Sequence, residues 1–325
     1  MNESKMMPVS DNQKNHSSGE YWLTVIIPVF NDGAVALNAV NAILTSGQQG
    51  TLEGVEILCV EGGSNDDSHE RLKEYSKTKN NVAVIPCPSG AVSPKFNLGA
   101  RQARGRWLAF TESDCIPDPG WIPAIKKTVD EDQLKACAGR VRAYSDDPNL
   151  QLSIRDFNDR RVVRPTFYNK IVCFYHGQGN NFLIEKKLFL EIGGVDERLG
   201  AGAPAQSGQD AELNFRLLHA GINIGFDPNQ LIVHYPRETR ESFLRKKRNY
   251  YYADVWWRVV VHPTKLASLS GIILRFFYPL WGMLLSLVTL KFNDVERHAQ
   301  EWRGFGAGLW NGMLYAISHR KINNR

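Results

Sequence analysis

No disulfide framework is written into this chain. Its 325 residues hold five cysteines, Cys59, Cys87, Cys115, Cys137 and Cys173. The number is odd, the spacing is wide and no pair forms C-x-x-C. That argues against a zinc site or a disulfide-stapled secreted fold, and for a reducing compartment. No G-x-G-x-x-G follows the first apolar run, so dinucleotide binding is excluded at the level of motif. A glycine-rich, lysine-bearing phosphate loop is missing there too, which weighs against nucleotidyl transfer. Residues 1–20 carry no apolar h-region and read as a polar, disordered lead rather than a signal peptide. Charge of one sign is not in large excess. The net charge is +5, with the basic residues crowded between Arg237 and Arg258. Such a cluster suits a solvated helix face, an anionic phosphate or an anionic membrane surface. It is the one feature that favours nucleic acid, and no nucleic-acid partner is expected.

What is present is a rhythm. Leu23–Phe30, Val55–Val60, Val82–Ile85 and Arg106–Phe110 are short, apolar and rich in β-branched residues, as buried strands are. Helical spacing fills the gaps at Gly33–Leu44, His69–Lys77 and Phe96–Arg104. Pro28 and the Asn31-Asp32 pair are read as stopping the first strand, and Ser64 or Asp66 as capping the helix from His69. Alternation of this kind predicts a parallel, doubly wound α/β sheet. Ligands bind such sheets at the carboxyl ends of the strands, and Asn31-Asp32, Glu61 and Glu112/Asp114 all fall there. Glu112 and Asp114 are two apart, so in extended chain both face one side. Two hard oxygen ligands at a strand end suit a divalent cation that also holds phosphate oxygens.

Six blocks in order carry a resemblance. They are Val25–Asn31, Val60–Asp66, Asn97–Ala100, Phe110–Pro117 with Trp121, Gly193–Glu197 and Gly208–Leu213. Together, over Leu23–His234, they resemble the signature blocks of family 2 glycosyltransferases. The resemblance implies a GT-A fold, a doubly wound mixed sheet. A nucleotide-binding half (21–120) and an acceptor half (121–236) would form one glycosyltransferase domain over 21–236. It implies inverting transfer of a hexose from a UDP- or GDP-sugar to a hydroxyl of a saccharide or lipid-linked acceptor, with Mn²⁺ or Mg²⁺ as cofactor. Pro28, Val29, Asn31 and Glu61 would line the nucleotide. Lys95, Arg101 and Asn97 lie near it, and Ser113 sits between the metal-motif acids. Glu112 and Asp114 match the D-x-D metal motif, and His234 matches a late V-x-H block and would join the cation. Asp210 matches the usual base, with Glu212 in the same turn as its runner-up. Gly177–Ile184 resembles a strand that faces the acceptor. Three positions depart from the pattern: Glu112 for Asp, Gly62 for an acid, and Gln209 for Glu. These departures keep a non-catalytic, sugar-binding or scaffold relative in play as one alternative, beside a nucleotidyltransferase using the same acidic metal site.

Two further expectations concern the second half. Gly200–Gly208 is small and flexible enough to form a lid over donor and acceptor. Beyond 237 the chain turns basic and apolar, and 237–325 is read as a membrane-associating region. Leu269–Leu290 is long enough to span a bilayer, but Arg275 and Pro279 fit an in-plane or re-entrant helix as well. A second, weaker apolar helix at Trp302–Ile317 would make a hairpin with it. Attachment to the cytoplasmic face of the membrane, in polysaccharide biosynthesis, is the resulting expectation.

Overall fold

The computed structural model describes residues 21–46, 52–144, 157–173, 179–236 and 239–323. The expected polar lead at 1–20, and Gly177 and Gln178 of the acceptor-side strand, lie outside them. The first half follows the βα rhythm. Strands β1 (Leu23–Val29), β2 (Val55–Glu61), β3 (Val82–Pro86) and β4 (Trp107–Thr111) alternate with α1 (Gly33–Ser46), α2 (Ser68–Ser76) and α3 (Val92–Gln102). The four strands pair in parallel in the order β3-β2-β1-β4. Side chains alternate across β1. Ile26 enters the core under α3, while Leu23, Val25, Ile27 and Val29 enter the core under α1, so both faces of the sheet are covered.

Pro28 does not stop β1. It sits inside the strand opposite Val60, at a level where pairing with β4 has already ended at Ile26. Its missing N–H is tolerated at such an unpaired flank.

The second half turns the sheet mixed. It adds β5 (Cys115–Pro117), α4 (Trp121–Glu131), β6 (Ala136–Ala143), β7 (Arg161–Val163), α5 (Phe167–Ile171), β8 (Asn181–Glu185), α6 (Lys186–Glu191), α7 (Gln209–His219) and β9 (Ile224–His234). The nine-stranded sheet continues β4-β8-β6-β9-β5, with β7 also on β9. β8 runs antiparallel to β4 and β6, and β5 antiparallel to β9. The β6–β9 pair is parallel, with a register shift at Gly139/Arg140.

Gly200–Gly208 is not a free lid. Val92 N–H donates to the Ala201 carbonyl (2.9 Å) and Ser93 Oγ to the Leu199 carbonyl (2.7 Å). Ala203 and Ala205 are buried, so the segment is a turn docked on the start of α3.

Three helices close the chain: α8 (Arg240–Val260), α9 (Leu266–Val288) and α10 (Phe292–Asn323). A capping box between Thr239 and Ser242 starts α8. Trp256 and Trp257 of α8 enter the same core as α3 and α7. Buried Asp254 of α8 accepts from Arg258 (3.1 Å) and from Arg275 of α9 (2.8 Å). The charge that interrupts the apolar run therefore points inward, onto α8.

Candidate active site

The register of β5 on β9 assembles the acidic site. Cys115 is opposite His234, which brings a late histidine beside the acids that follow β4. His234 Nε2 is 3.2 Å from Asp114 Oδ2. Ligand atoms of Glu112, Asp114, Cys115 and His234 all lie within 4.8 Å of one another. Burial, then the Asp114 charge, raise the Glu112 carboxyl to about 7. Burial alone would raise Asp114 as well, but its hydrogen bond to His234 and the charges of His234 and Lys246 outweigh it, and the net shift is downward. His234 shifts upward: burial opposes this, and the Asp114 bond with the Asp114 and Glu112 charges overcome it. Carboxylate oxygens with one imidazole form a donor set that fits Mn²⁺ or Mg²⁺, and Cys115 adds a buried sulfur at its edge. The donor set therefore agrees with the expected cation.

The neighbouring loops are fixed by the residues that follow β1. Asn31, at φ 51°, donates from its N–H to Ser64 Oγ (2.9 Å) and accepts at Oδ1 from Asn65 N–H (2.8 Å). Asn tolerates this left-handed geometry better than most residues. Ser113 donates to Asp32 Oδ2 (2.8 Å), tying the metal loop to the end of β1. Glu61 closes β2 and lies 3.1 Å from His69 Nδ1. The missing second acid at position 62 has a steric reason. A Cβ on Gly62 would stand 1.9 Å from the Cys87 carbonyl oxygen, so the close β2–β3 approach demands glycine. Phe30 leaves the end of β1 with its ring 51% exposed, over the loops that carry Gly63 and Gly90.

Asp210 opens α7, behind Gly208, at φ 88°. Its Oδ2 accepts from Gly179 N–H (3.3 Å) and its Oδ1 from Ala211 N–H (2.8 Å). Its negative charge is among those that raise Glu112, so Asp210 and the Glu112–Asp114–His234 cluster share one electrostatic neighbourhood. Beside Asp210 lies a small apolar pocket walled by Phe96, Phe110, Phe182, Val195 and Leu213, with Gln209 and Asn214 also in its lining.

Four expected contacts belong elsewhere. Glu212 is fully buried and engaged by Arg216 (2.6 and 2.7 Å) and His262 (2.9 Å); it braces α7 against the α8–α9 turn and does not face the pocket. Asn97 is spent on Val195 N–H and carbonyl and on Glu197 (each 2.9 Å), holding the Gly193–Glu197 turn. Lys95 donates to the Val29 and Gly90 carbonyls (2.6 and 3.2 Å) from a buried position that lowers its ammonium to about 8. It pins the end of β1 from beneath. Arg101 is exposed on the last turn of α3, far along the helix from its site-facing start.

Two residues were not legible beforehand. Cys115 enters through strand pairing. Lys246, from the first turns of α8, acts on Glu112, Asp114 and His234 across a long sequence gap. The basic cluster around it was the only hint.

A profile described as Glycosyl transferase family 2 matches residues 24–189. Glycosyltransferase GlyG of Streptococcus pneumoniae is 24% identical over 180 residues, covering 52% of this chain and 58% of that protein. The pre-mycofactocin glycosyltransferase of Mycobacterium tuberculosis is 23% identical over 255 residues, 76% of this chain and 49% of that one. The chain thus spans less than two thirds of the length of either relative. In fold it is similar to a mannosyltransferase of Pyrobaculum calidifontis solved with GDP-Man and Mn²⁺. The TM-score is 0.61 at 14% identity, over 90% of this chain and 88% of that one. It is also similar to residues 1–349 of TarS from S. aureus, solved with UDP-GlcNAc (TM-score 0.55, 14% identity, 88% and 92% covered). With more than half the chain inside the family profile and a mixed GT-A sheet around the acids, this protein belongs to glycosyl transferase family 2.

Proposed function

We propose that the protein transfers a hexose, with inversion, from a UDP- or GDP-sugar to a hydroxyl of a saccharide or lipid-linked acceptor at the cytoplasmic membrane face. The observation that carries this reading is a pair of acidic centres: Glu112, Asp114 and His234 clustered after β4, and Asp210 on a pocket that Phe110, near the end of β4, also lines. Asn31, Glu61 and the exposed Phe30 ring border the place where the sheet edge would take the nucleotide, while Pro28 and Val29, expected to line it, are buried within β1.

A divalent cation held by Asp114, Glu112 and His234 would neutralise the leaving diphosphate. Asp210 takes the proton of the acceptor hydroxyl as its oxygen bonds to the anomeric carbon. The bond from that carbon to the diphosphate breaks, and the nucleoside diphosphate leaves with the electron pair. The Gly179 N–H bond holds Asp210 in place at the start of α7, where the helix N-terminus favours a negative charge. Inversion is tested by the anomeric configuration of the product, read by NMR from a donor of known configuration. An inverted linkage is expected; a retained one would overturn the single-displacement scheme. α9, the one helix among the described residues long and apolar enough to cross a membrane, supports attachment to a bilayer.

A further inference from the structure

We infer that α9 lies in the plane of an anionic phospholipid surface and does not cross it, an inference that rests on the membrane-attachment part of the reading above. Leu269, Ile273, Phe277, Trp281, Leu284 and Val288 recur every three or four residues and are 48–74% exposed, forming one continuous stripe. Such a one-sided stripe is the signature of an interfacial helix. Arg275, the one charged residue within α9, is turned to the opposite face and held by Asp254.

That opposite face is occupied along the helix by charged neighbours. Arg275 is fastened to α8. Further on, Gly282 lies so close to the His298 ring of α10 that a Cβ would stand 2.3 Å from it. His298 is itself paired with Glu301 (2.7 Å), and Glu301 with Arg297 (3.2 Å). Carrying α9 through hydrocarbon would carry Asp254, Arg297, His298 and Glu301 to the same depth, which a bilayer strongly disfavours. Nor does α10 offer a return span. It brings Asp294, Glu296, Arg297, Glu301 and Arg303 within its first turns, and Gly304 and Gly308 pack on the Arg248 and Tyr252 carbonyls of α8. Both ends of α9 therefore stay on the side of the catalytic domain.

Charge selects the occupant. From Arg240 to Asn323 there are thirteen Lys and Arg against five Asp and Glu, and Lys265 and Lys291 flank the stripe in exposed positions. A second copy of the same chain would meet like charge; an anionic lipid surface meets the opposite.

The test uses the full chain added to phosphatidylcholine–phosphatidylglycerol vesicles. The native cysteines are all buried, so Lys265→Cys and Lys291→Cys can each report on one end of α9. Both are expected to react with a membrane-impermeant maleimide added outside intact vesicles. Protection of either until detergent is added would show a span and overturn the inference. Phe277→Glu and Trp281→Glu should each lower vesicle co-sedimentation at least tenfold while leaving nucleotide-sugar binding unchanged. If the wild type fails to bind vesicles yet still binds nucleotide sugar, the membrane inference falls and the enzymatic reading stands. A lipid-free dimer that Trp281→Glu splits, without vesicle binding, would assign the face to a second copy and overturn it equally.

Discussion

Asp210 and Glu212 sit two residues apart in one turn, yet burial and partners give them separate tasks. Asp210 faces the pocket and holds two N–H groups; Glu212 is enclosed by Arg216 and His262. Asp210→Asn should leave the melting temperature unchanged and lower turnover by about 10²–10⁴-fold, the range for a lost general base. Glu212→Ala removes the carboxylate from a part-buried Arg216, which keeps the Ile192 and Gly194 carbonyls, and should lower unfolding stability by about 2–3 kcal/mol in a denaturant titration. The pH dependence has a defined sign. Burial would raise the Glu212 carboxyl, but the His262 and Arg216 bonds outweigh it and the folded value is depressed. Its contribution is present above the unfolded value of about 4.3 and is lost as pH falls through the folded value. In Glu212→Gln the acid limb of a melting-temperature profile should flatten below about pH 4.3. Sequence spacing could not separate these two acids, because helical periodicity says which face a residue shares but not which partners await it. The same limit hid the bracing roles of Lys95 and Asn97. Glu112, Asp114 and His234 were legible because the first two directly follow apolar β4 and the third ends apolar β9, where side chains reach the ligand edge.

At the scale of elements, the βα alternation up to β4 was readable because buried strands are short and β-branched and helices carry a longer period. The short β5 and β7, and the parallel pairing of β6 with β9, were not: three residues hold no period, and pairing across a long gap leaves no local trace. The Gly200–Gly208 segment misled for a related reason. Small residues signal freedom, but here they signal close approach. Gly208, at φ 88°, would bring a Cβ 3.1 Å from the Ala253 Cβ of α8. Gly208→Ala should therefore cost about 1–2 kcal/mol of stability for the left-handed residue alone. Because it starts the turn that aims Asp210, the same change should lower kcat more than it weakens donor binding, as steady-state kinetics and donor titration would read.

For the whole molecule, the C-terminal helices are part of the catalytic body. Lys246 of α8 acts on the Glu112–Asp114–His234 cluster, Trp257 packs beside Phe215 of α7, and Asp254 joins α8 to α9. Asp254→Ala would leave Arg258 and Arg275 buried without their shared carboxylate. A loss of about 3–5 kcal/mol is expected in chemical denaturation. Composition could announce a basic and apolar tail, but only the inward turn of Arg275 reveals that the tail and the site share a framework.

The most direct measurement is nucleotide-sugar binding and turnover over a panel of UDP- and GDP-sugars. It would be run with Mn²⁺ and with EDTA on the wild type, Asp114→Ala and Asp210→Asn. Binding that needs Mn²⁺ and is lost in Asp114→Ala, with Asp210→Asn binding normally but failing to turn over, is the predicted outcome. If no nucleotide sugar binds with or without metal, or if Asp210→Asn turns over like the wild type, the division of labour between the two acidic centres is contradicted.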